Sequence, residues 1–567
     1  MPKSVRPWSR NYAPGSSWDA PLQTMPVPQL LTDAAARWPD RPALRFEGRT
    51  FTYAEIDALT DRLAHGLQRV GVQRGTHVGL YLPNTPHYFI AFFAILKTGA
   101  VVVNYSPLDA GAVLAHKIGD SHTDVMVTLD TPELFSKMNG YLDSTRLKTL
   151  IVGSPTEFGV AGNQEACGIQ WDERRVRFAD LLAASDAPFV LAATDVSAIA
   201  VLQYTGGTTG HPKGAMLMHA NLSATVSQLQ QMLISPGTLQ PGAERFLVVL
   251  PLFHVYSMVL NMIFGFSIGA ELVLHQRFDL STALREIEQS RITVFLGVPT
   301  MYVGFTSHPD IERTDLSSLK WCNSGGAPIA GEVFSNFVRM ARCTLLEGWG
   351  MTEICGVGTL TTGVGSPAPG TCGVPVPGTE VKVIDLKTLA ELPLGERGEI
   401  CVRGPQVMSG YWNNSAATAE VTTADGFLRT GDVGYMTDEG FVYLVDRTKD
   451  MMICSGFNVY PRNIEEAIYR HPSVEEVIVI GVPDPYRGES PKAFIKFKQG
   501  TQPFTLEGLR AFLQDNLGKH EMPHAMEVRA ELPKTAVGKL SKKELYAEVA
   551  AKAGGEAGAE MASGTAK

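Results

Sequence analysis

Apolar residues recur at helical spacing at Val27, Leu30, Leu31, Ala34, Ala35 and Trp38, which predicts an amphipathic helix near the start of the chain. Thr52, with Glu55 three residues on, has the pattern of a capping box. Ile56, Leu59, Leu63 and Leu67 then continue one helical face to a stop at Gly71. The run HVGLYLP predicts a buried strand, Phe89–Leu96 an apolar helix, and AVVVNY a second strand. Strand and helix patterns keep alternating to about residue 380, the signature of α/β layers built on parallel sheets. From about 381 the runs shorten and are punctuated by Gly and Pro (EVKVID, GEICVRG, GFVYLVD), which predicts a small β-rich subdomain. Beyond Asp446–Asp450 a separate α+β unit is expected, with a helix over 462–470, a strand over 477–482 and a helix over 506–517. The stretch 551–567 is mostly Ala, Gly and Glu without an apolar period, and is expected to be disordered.

The chain has 567 residues, beyond the ~250–300 over which one core keeps growing, so several domains are expected. A formal charge of -9 gives no support to nucleic-acid binding driven by bulk charge. The seven cysteines are scattered, with no CxxC or Cys/His cluster, which argues against zinc and against a disulfide framework. The N-terminus lacks the apolar core of a signal peptide. Val255–Ala270 is uncharged but shorter than the about 20 apolar residues a membrane span needs, so it reads as buried core. The expected location is the cytoplasm, with no transmembrane segment; peripheral membrane contact stays open, as does the choice between monomer and homodimer.

Residues 199–214 carry the chemistry that changes this picture. A buried strand runs into Thr205-Gly206-Gly207-Thr208-Thr209-Gly210 and then Pro212-Lys213-Gly214. The glycines let backbone N–H groups approach an anion without a Cβ in the way, the hydroxyls add donors, and Lys213 supplies a point charge for phosphate. A solvated turn would need neither three threonines nor a lysine at its exit. The sequence is not that of the common phosphate-binding NTPases, because Lys213 is followed by Gly214 rather than Ser or Thr.

Nine motifs in fixed order then carry a resemblance: YTGGTTGHPKG (204–214), LPLFH (250–254), VPTMY (298–302), NSGGAP (323–328), EGWGMTE (347–353), TGD (430–432), DRTKD (446–450), SGFNVYPRNIEE (455–466) and PKTAVGK (533–539). The chain resembles the adenylate-forming (AMP-binding) superfamily over roughly residues 25–550. It is most similar to bacterial medium- and long-chain fatty acyl-CoA synthetases, which share the TGG variant and the stretch Gly404–Trp412. The resemblance implies an α/β fold: an N-terminal extension (1–24), a catalytic domain of two doubly wound sheets plus a small β-rich subdomain (25–446), and a mobile α+β C-terminal lid (447–550).

It also implies ATP, Mg²⁺ and coenzyme A as partners of a carboxylic acid substrate. Thr205–Gly210 and Lys213 would hold the phosphates. Glu353, helped by Thr205, would hold Mg²⁺. Gly326 and Ala327 would flank one adenine face and Trp349, where relatives often carry Tyr, the other, within the stretch Glu347, Gly348, Gly350, Met351 and Thr352. Asp432 would accept both ribose hydroxyls, and Arg447 would reach the ribose or α-phosphate. Lys539 would be the adenylating lysine. It sits just ahead of Ser541–Glu544, which has a capping-box pattern, whereas Lys542 and Lys543 read as solvated surface lysines. Lys449 would be the pivot about which the lid turns, bringing Ser455, Gly456 and Phe457 to the coenzyme A tunnel. Acetylation of Lys539 by a lysine acetyltransferase, reversed by a deacetylase, is a further expectation.

The acyl pocket implied by the resemblance involves His254, Tyr256, Gly325, Gly350 and Met351. Gly350 is expected to leave room that a bulky residue would close, which points to acids larger than acetate. Medium- or long-chain fatty acids lead, with dicarboxylic and aromatic acids as alternatives. Delivery to a separate carrier protein, a luciferase-like oxygenase and a non-catalytic binding relative are the rival functions.

Overall fold

The structure, a computed structural model, describes residues 6–159, 167–191, 194–205, 212–362, 364, 370–455, 457–484, 486–535 and 538–551. The early helix forms over Val27–Arg37 and buries its apolar stripe. The next helix, Tyr53–Arg69, starts on the anticipated box: Thr52 Oγ1 accepts from the Glu55 N–H while the Glu55 carboxylate accepts from the Thr52 N–H.

Two sheets form the body. The first orders its strands Arg175–Arg177, Thr149–Gly153, Val125–Leu129, His77–Leu80, Val101–Asn104, Ile199–Thr205 and Lys213–Met218. All neighbours are parallel except the last pair, a hairpin in which Thr205 faces Lys213. The second sheet has a parallel centre of Pro42–Phe46, Glu271–Leu274, Arg245–Val248, Val294–Gly297, Trp321–Ser324 and Leu345–Trp349. Its buried strands read as continuous apolar runs because helices cover both faces.

The β-rich region departs from expectation in two ways. The switch to antiparallel pairing comes right after Leu345–Trp349, some thirty residues before the pattern change at 381. The strands that follow also continue the second sheet rather than standing apart, through Thr371–Pro375, Val442–Arg447, Leu428–Met436, Gly398–Arg403 and Glu380–Ile384. The linking strand Thr359–Leu360 is only two residues long, too short to leave a period in the sequence. The N-terminal extension is stitched over this region: the Trp18 indole donates to the Thr379 carbonyl at 2.7 Å, and Tyr12 donates to the Pro375 carbonyl.

Ser257–Ser267, with flanking residues, is buried helix inside the body, and no helix among the described residues is long and apolar enough to cross a membrane. Arg447 ends a body strand, so the junction with the lid falls at 448–451, before the first lid strand Met452–Cys454. The lid sheet orders Phe457–Val459, Met452–Cys454, Gly488–Phe497 and Val474–Asp484, with Ala525–Val528 parallel to Gly488–Phe497. Helices Pro461–Tyr469 and Leu506–Leu513 pack on it around their own core of Ile464, Ile468, Val477, Val479, Leu509 and Leu513.

The last helix begins at 543, one residue later than a cap at Ser541 predicts. The Ser541 hydroxyl turns to the Glu544 carboxylate instead of capping a backbone N–H. Lys542 is likewise not a solvated lysine: it pairs with Glu465 at 3.4 Å and faces Asp446 and Asp450 beside the junction of body and lid. Of the tail, 552–567 lies outside the described residues.

Candidate active site

The cluster expected to take the nucleotide is built where the second sheet changes character. Strand Leu428–Met436 sets Asp432 opposite Arg447 on Val442–Arg447. The Arg447 guanidinium donates Nε–H to Asp432 Oδ1 at 2.9 Å, and the Trp349 indole N–H donates to Oδ2 at 2.8 Å. Both carboxylate oxygens are therefore oriented before any ligand arrives. Trp349 is itself buried among core residues at 6% exposure, so its edge fixes Asp432 while its body packs. A tyrosine there would carry its hydroxyl at the end of the ring and could not place a donor at the same point.

Lys539 enters this cluster from the lid. It sits at the end of a tight turn in which the Gly538 N–H donates to the Thr535 carbonyl at 2.9 Å, and the Thr535 N–H donates to the Lys539 carbonyl at 2.7 Å. Gly538 takes φ +78°, a region glycine occupies without strain. The side chain runs across Gly326, where a Cβ would lie 2.0 Å from Lys539 Cε and 2.2 Å from Nζ. Only a glycine leaves that passage open. Burial, and then repulsion from Arg447, lower the Lys539 pKa from its usual value to about 8, with Asp432 partly opposing the shift. The lysine is thus a desolvated cation beside a fixed carboxylate–guanidinium pair.

A second cluster gathers at the other end. Lys213 opens the strand paired with Thr205, and its ammonium lies 5.3 Å from the centre of the Tyr411 ring. The Tyr411 hydroxyl donates to Glu353 Oε1 at 2.8 Å, and the Glu353 carbonyl accepts from the Met408 N–H at 2.7 Å. Burial raises the Glu353 pKa, more than its hydrogen bonds lower it. A buried carboxylate of this kind favours a cation nearby. Among the described residues no group of three or more His, Cys, Asp and Glu could hold a metal. One hard carboxylate with a hydroxyl fits an ion that keeps water and phosphate oxygens as its remaining ligands, as Mg²⁺ does. Gly206, Gly207, Thr208, Thr209 and Gly210 lie outside the described residues.

Among the residues expected to line the acyl pocket, the Tyr256 hydroxyl donates to Asn323 Oδ1 at 2.6 Å, and the Tyr256 N–H donates to His254 Nδ1 at 3.3 Å. Burial and the Lys539 charge lower the His254 pKa to about 3, so this imidazole is neutral at physiological pH. Gly325 is required for packing, since a Cβ there would lie 2.7 Å from the Tyr256 ring. The expectation for Gly350 needs correcting. A Cβ there would meet the Gly356 carbonyl oxygen at 2.0 Å, so the missing side chain is replaced by backbone rather than by open pocket. Met351 is partly buried against the core.

Glu347 stands apart from the adenine cluster's hydrogen bonds. It lines a cavity of about 570 Å³ between the body and the lid helix, together with Leu345, Phe441, Glu466 and Arg470. Burial pushes its pKa up to about 7 against the pull of Arg462. Gly348 and Thr352 belong to the strand and short turn that carry Trp349 and Glu353. Ala327 follows Gly326, which takes φ +83°.

Of the remaining predicted residues, Lys449 borders the site, its pKa lowered by burial and by Arg447 against the pull of Asp450 and Asp432, while Ser455 and Phe457 do not join it. Lys449 lies in the turn that closes on the Arg447 carbonyl, next to Asp450 and Met451. Ser455 donates its N–H to the Arg487 carbonyl, and Phe457 is 58% exposed with its ring 4.9 Å from that of His520. Gly456 lies outside the described residues. Tyr411 and Asn323 are the site residues that sequence reading passed over. Both fall inside quoted motifs, but no spacing rule ties Tyr411 to Glu353, 58 residues away, or Asn323 to Tyr256, 67 residues away.

Comparison with known proteins agrees with this geometry. The AMP-binding enzyme family model matches residues 31–412, and its C-terminal domain model matches 463–539. A long-chain-fatty-acid–CoA ligase of Bacillus subtilis is 37% identical over 96% of this chain and 98% of its own length. Its counterpart in Escherichia coli is 33% identical over 92% and 94%. A feruloyl-CoA synthase of Amycolatopsis is 35% identical over 89% and 96%. Among solved structures, ATP-bound MatB from Rhodopseudomonas palustris superposes with a TM-score of 0.82 at 27% identity, covering 92% of this chain and 98% of that one. Sheet order, lid and filled motif positions converge with these matches on one conclusion: the chain belongs to the AMP-binding enzyme family.

Proposed function

We propose that the protein ligates a medium- or long-chain fatty acid to coenzyme A through an acyl-adenylate, releasing AMP and pyrophosphate. The observation that carries this reading is Lys539, threaded from the lid past Gly326 to a point beside His254, Asp432 and Arg447. A carboxylate attacking the α-phosphate of ATP must bring two anions together. Lys539 and Arg447 supply fixed positive charge where that repulsion peaks, without the reorganisation that water would need. Asp432 receives the ribose hydroxyls, Lys213 and Thr205–Gly210 hold the phosphates, and Trp349 with Gly326 and Ala327 bounds the adenine. Mg²⁺, held by Glu353 and Thr205, supplies further neutralisation of phosphate charge when bound. A neutral His254 beside the acyl carboxylate adds a hydrogen-bonding wall without a competing charge.

Thioester formation needs the coenzyme thiol where Lys539 now lies, so the lid has to turn about Lys449 and bring Ser455–Phe457 inward. Lys539 would be reachable by an acetyltransferase only with the lid turned. The fatty acid preference is supported by the Bacillus and Escherichia relatives. The similarity to the feruloyl-CoA synthase favours an aromatic acid as the second reading. Measuring ATP- and coenzyme A-dependent AMP formation across saturated acids of graded chain length, with ferulate and a dicarboxylate alongside, separates them. A rate peak at medium or long chains is expected. A peak at ferulate would overturn the acid assigned here, and pyrophosphate release without thioester would overturn coenzyme A as the acceptor.

A further inference from the structure

Thr300 lies near the start of helix Pro299–Ser307, in the body, and its hydroxyl donates to the carbonyl of Gly538 at 2.6 Å across 238 residues of chain. Gly538 immediately precedes Lys539. Its carbonyl direction is set by the positive φ and by the turn bonds to Thr535. The hydroxyl therefore grips the lid one residue from the reacting ammonium. Arg462 also joins lid to body, through its N–H to Asp446 at 2.9 Å and its guanidinium to the Ile329 carbonyl at 3.4 Å. The first of these bonds lies beside the hinge, where small rotations cost little displacement. At the far end of the lever, where rotation carries Lys539 farthest, Thr300 holds the turn itself. The Lys539 side chain must still cross Gly326, where a Cβ would lie 2.0 Å from its Cε.

We propose that Thr300 is a positioning residue that latches the lid in its adenylating pose and aligns Lys539, and whose release accompanies the turn to thioester formation. The latch rests on the assignment of Lys539 to adenylation. It acts through that lysine. A neutral hydrogen bond of this kind is modest, so its loss should shift the closed population by roughly three- to tenfold. The two half-reactions should move apart, because a bond present in one pose and absent in the other favours the first at the expense of the second.

The test compares the full-length protein with Thr300→Val, which keeps the side chain's shape, Thr300→Ser, which keeps the hydroxyl, Lys539→Ala, and the double variant Thr300→Val/Lys539→Ala. Pyrophosphate release is followed with a fatty acid and ATP in the absence of coenzyme A. Thioester formation is followed separately from preformed acyl-adenylate and coenzyme A. Thr300→Val should lower kcat/KM for pyrophosphate release roughly three- to tenfold and leave thioester formation equal or faster. Thr300→Ser should recover most of the loss. In the double variant the valine should add nothing to Lys539→Ala, since a residue acting through Lys539 is silent once the lysine is gone. An unchanged adenylation rate in Thr300→Val, an equal fall in both half-reactions, or additivity in the double variant would each overturn the latch. If Lys539→Ala itself adenylates normally, the function assigned to the lysine fails first, and the two failures are told apart by that single variant.

Discussion

The lid presents two faces of opposite character. The face carrying Lys539 is docked: its turn is held by Thr300 and its lysine is desolvated beside Asp432 and Arg447. The other end of the lid leaves Ile453, Phe457 and Tyr486 exposed at 53%, 58% and 94%. Apolar and aromatic side chains left in water on a unit that is packed into the site elsewhere are what a domain with two docking poses would show. The contrast separates the steps of the reaction by residue. On the function proposed above, chemistry at the phosphate would depend on the docked face and chemistry at the thiol on the exposed one.

The largest expected effect comes from removing the docked cation. Lys539→Ala should slow adenylation by roughly 10²–10³-fold, the scale of losing one preorganised transition-state donor. Thioester formation from preformed acyl-adenylate should persist. An equal loss in both steps, measured by pyrophosphate release and by thioester yield, would erase the distinction between the faces. Gly326→Ala should approach the same defect, about 10²-fold in adenylation, because its Cβ would fall 2.2 Å from Lys539 Nζ. Here the lysine is intact but excluded, so adenine affinity measured by equilibrium binding of AMP should fall far less than the rate.

Acid–base behaviour sharpens the same contrast. The Lys539 pKa is lowered in the folded protein to about 8, and the protonated form is the one that stabilises charge. The charge is therefore present below pH 8 and lost as pH rises through it. The kcat/KM for adenylation should be flat on the acid side of about 8 and fall tenfold per unit above it, since this ratio reports the free enzyme's groups. Thioester formation should not share that limb. Lys539→Arg should abolish the alkaline fall whatever its absolute rate, because a guanidinium stays charged throughout.

The two faces also differ in how far they could be read from the chain. The body's layers follow from continuous apolar runs and helical periods, and the phosphate-side residues from short motifs whose chemistry is local. The bonds that make those residues a site are not local. Asp432 meets Trp349 across 83 positions, and Tyr411 meets Glu353 across 58. Gly350 shows the limit most plainly: its sequence meaning was free volume, whereas the structure fills that volume with the Gly356 carbonyl, a fact of chain packing that no side-chain pattern encodes. Lys542 errs in the other direction. A Lys-Lys pair at a helix start reads as solvated, yet the junction of body and lid places Glu465, Asp446 and Asp450 around one of the two.

The smallest expected effect tests the exposed face. Phe457 lies near His520 within the lid and is 58% exposed, so Phe457→Ala removes little that the observed pose uses. Adenylation, measured without coenzyme A, should stay within a factor of two of the parent, and the melting temperature should barely move, as for most exposed positions. If the turned lid packs this ring against the bound coenzyme A, burying part of its area is worth about 1 kcal/mol. That corresponds to roughly a fivefold loss in kcat/KM for coenzyme A, with a smaller change in the rate at saturation. Loss of adenylation instead would mean that the exposed face already serves the first step. The comparison between the two faces would then collapse into a single docked pose in which both half-reactions take place.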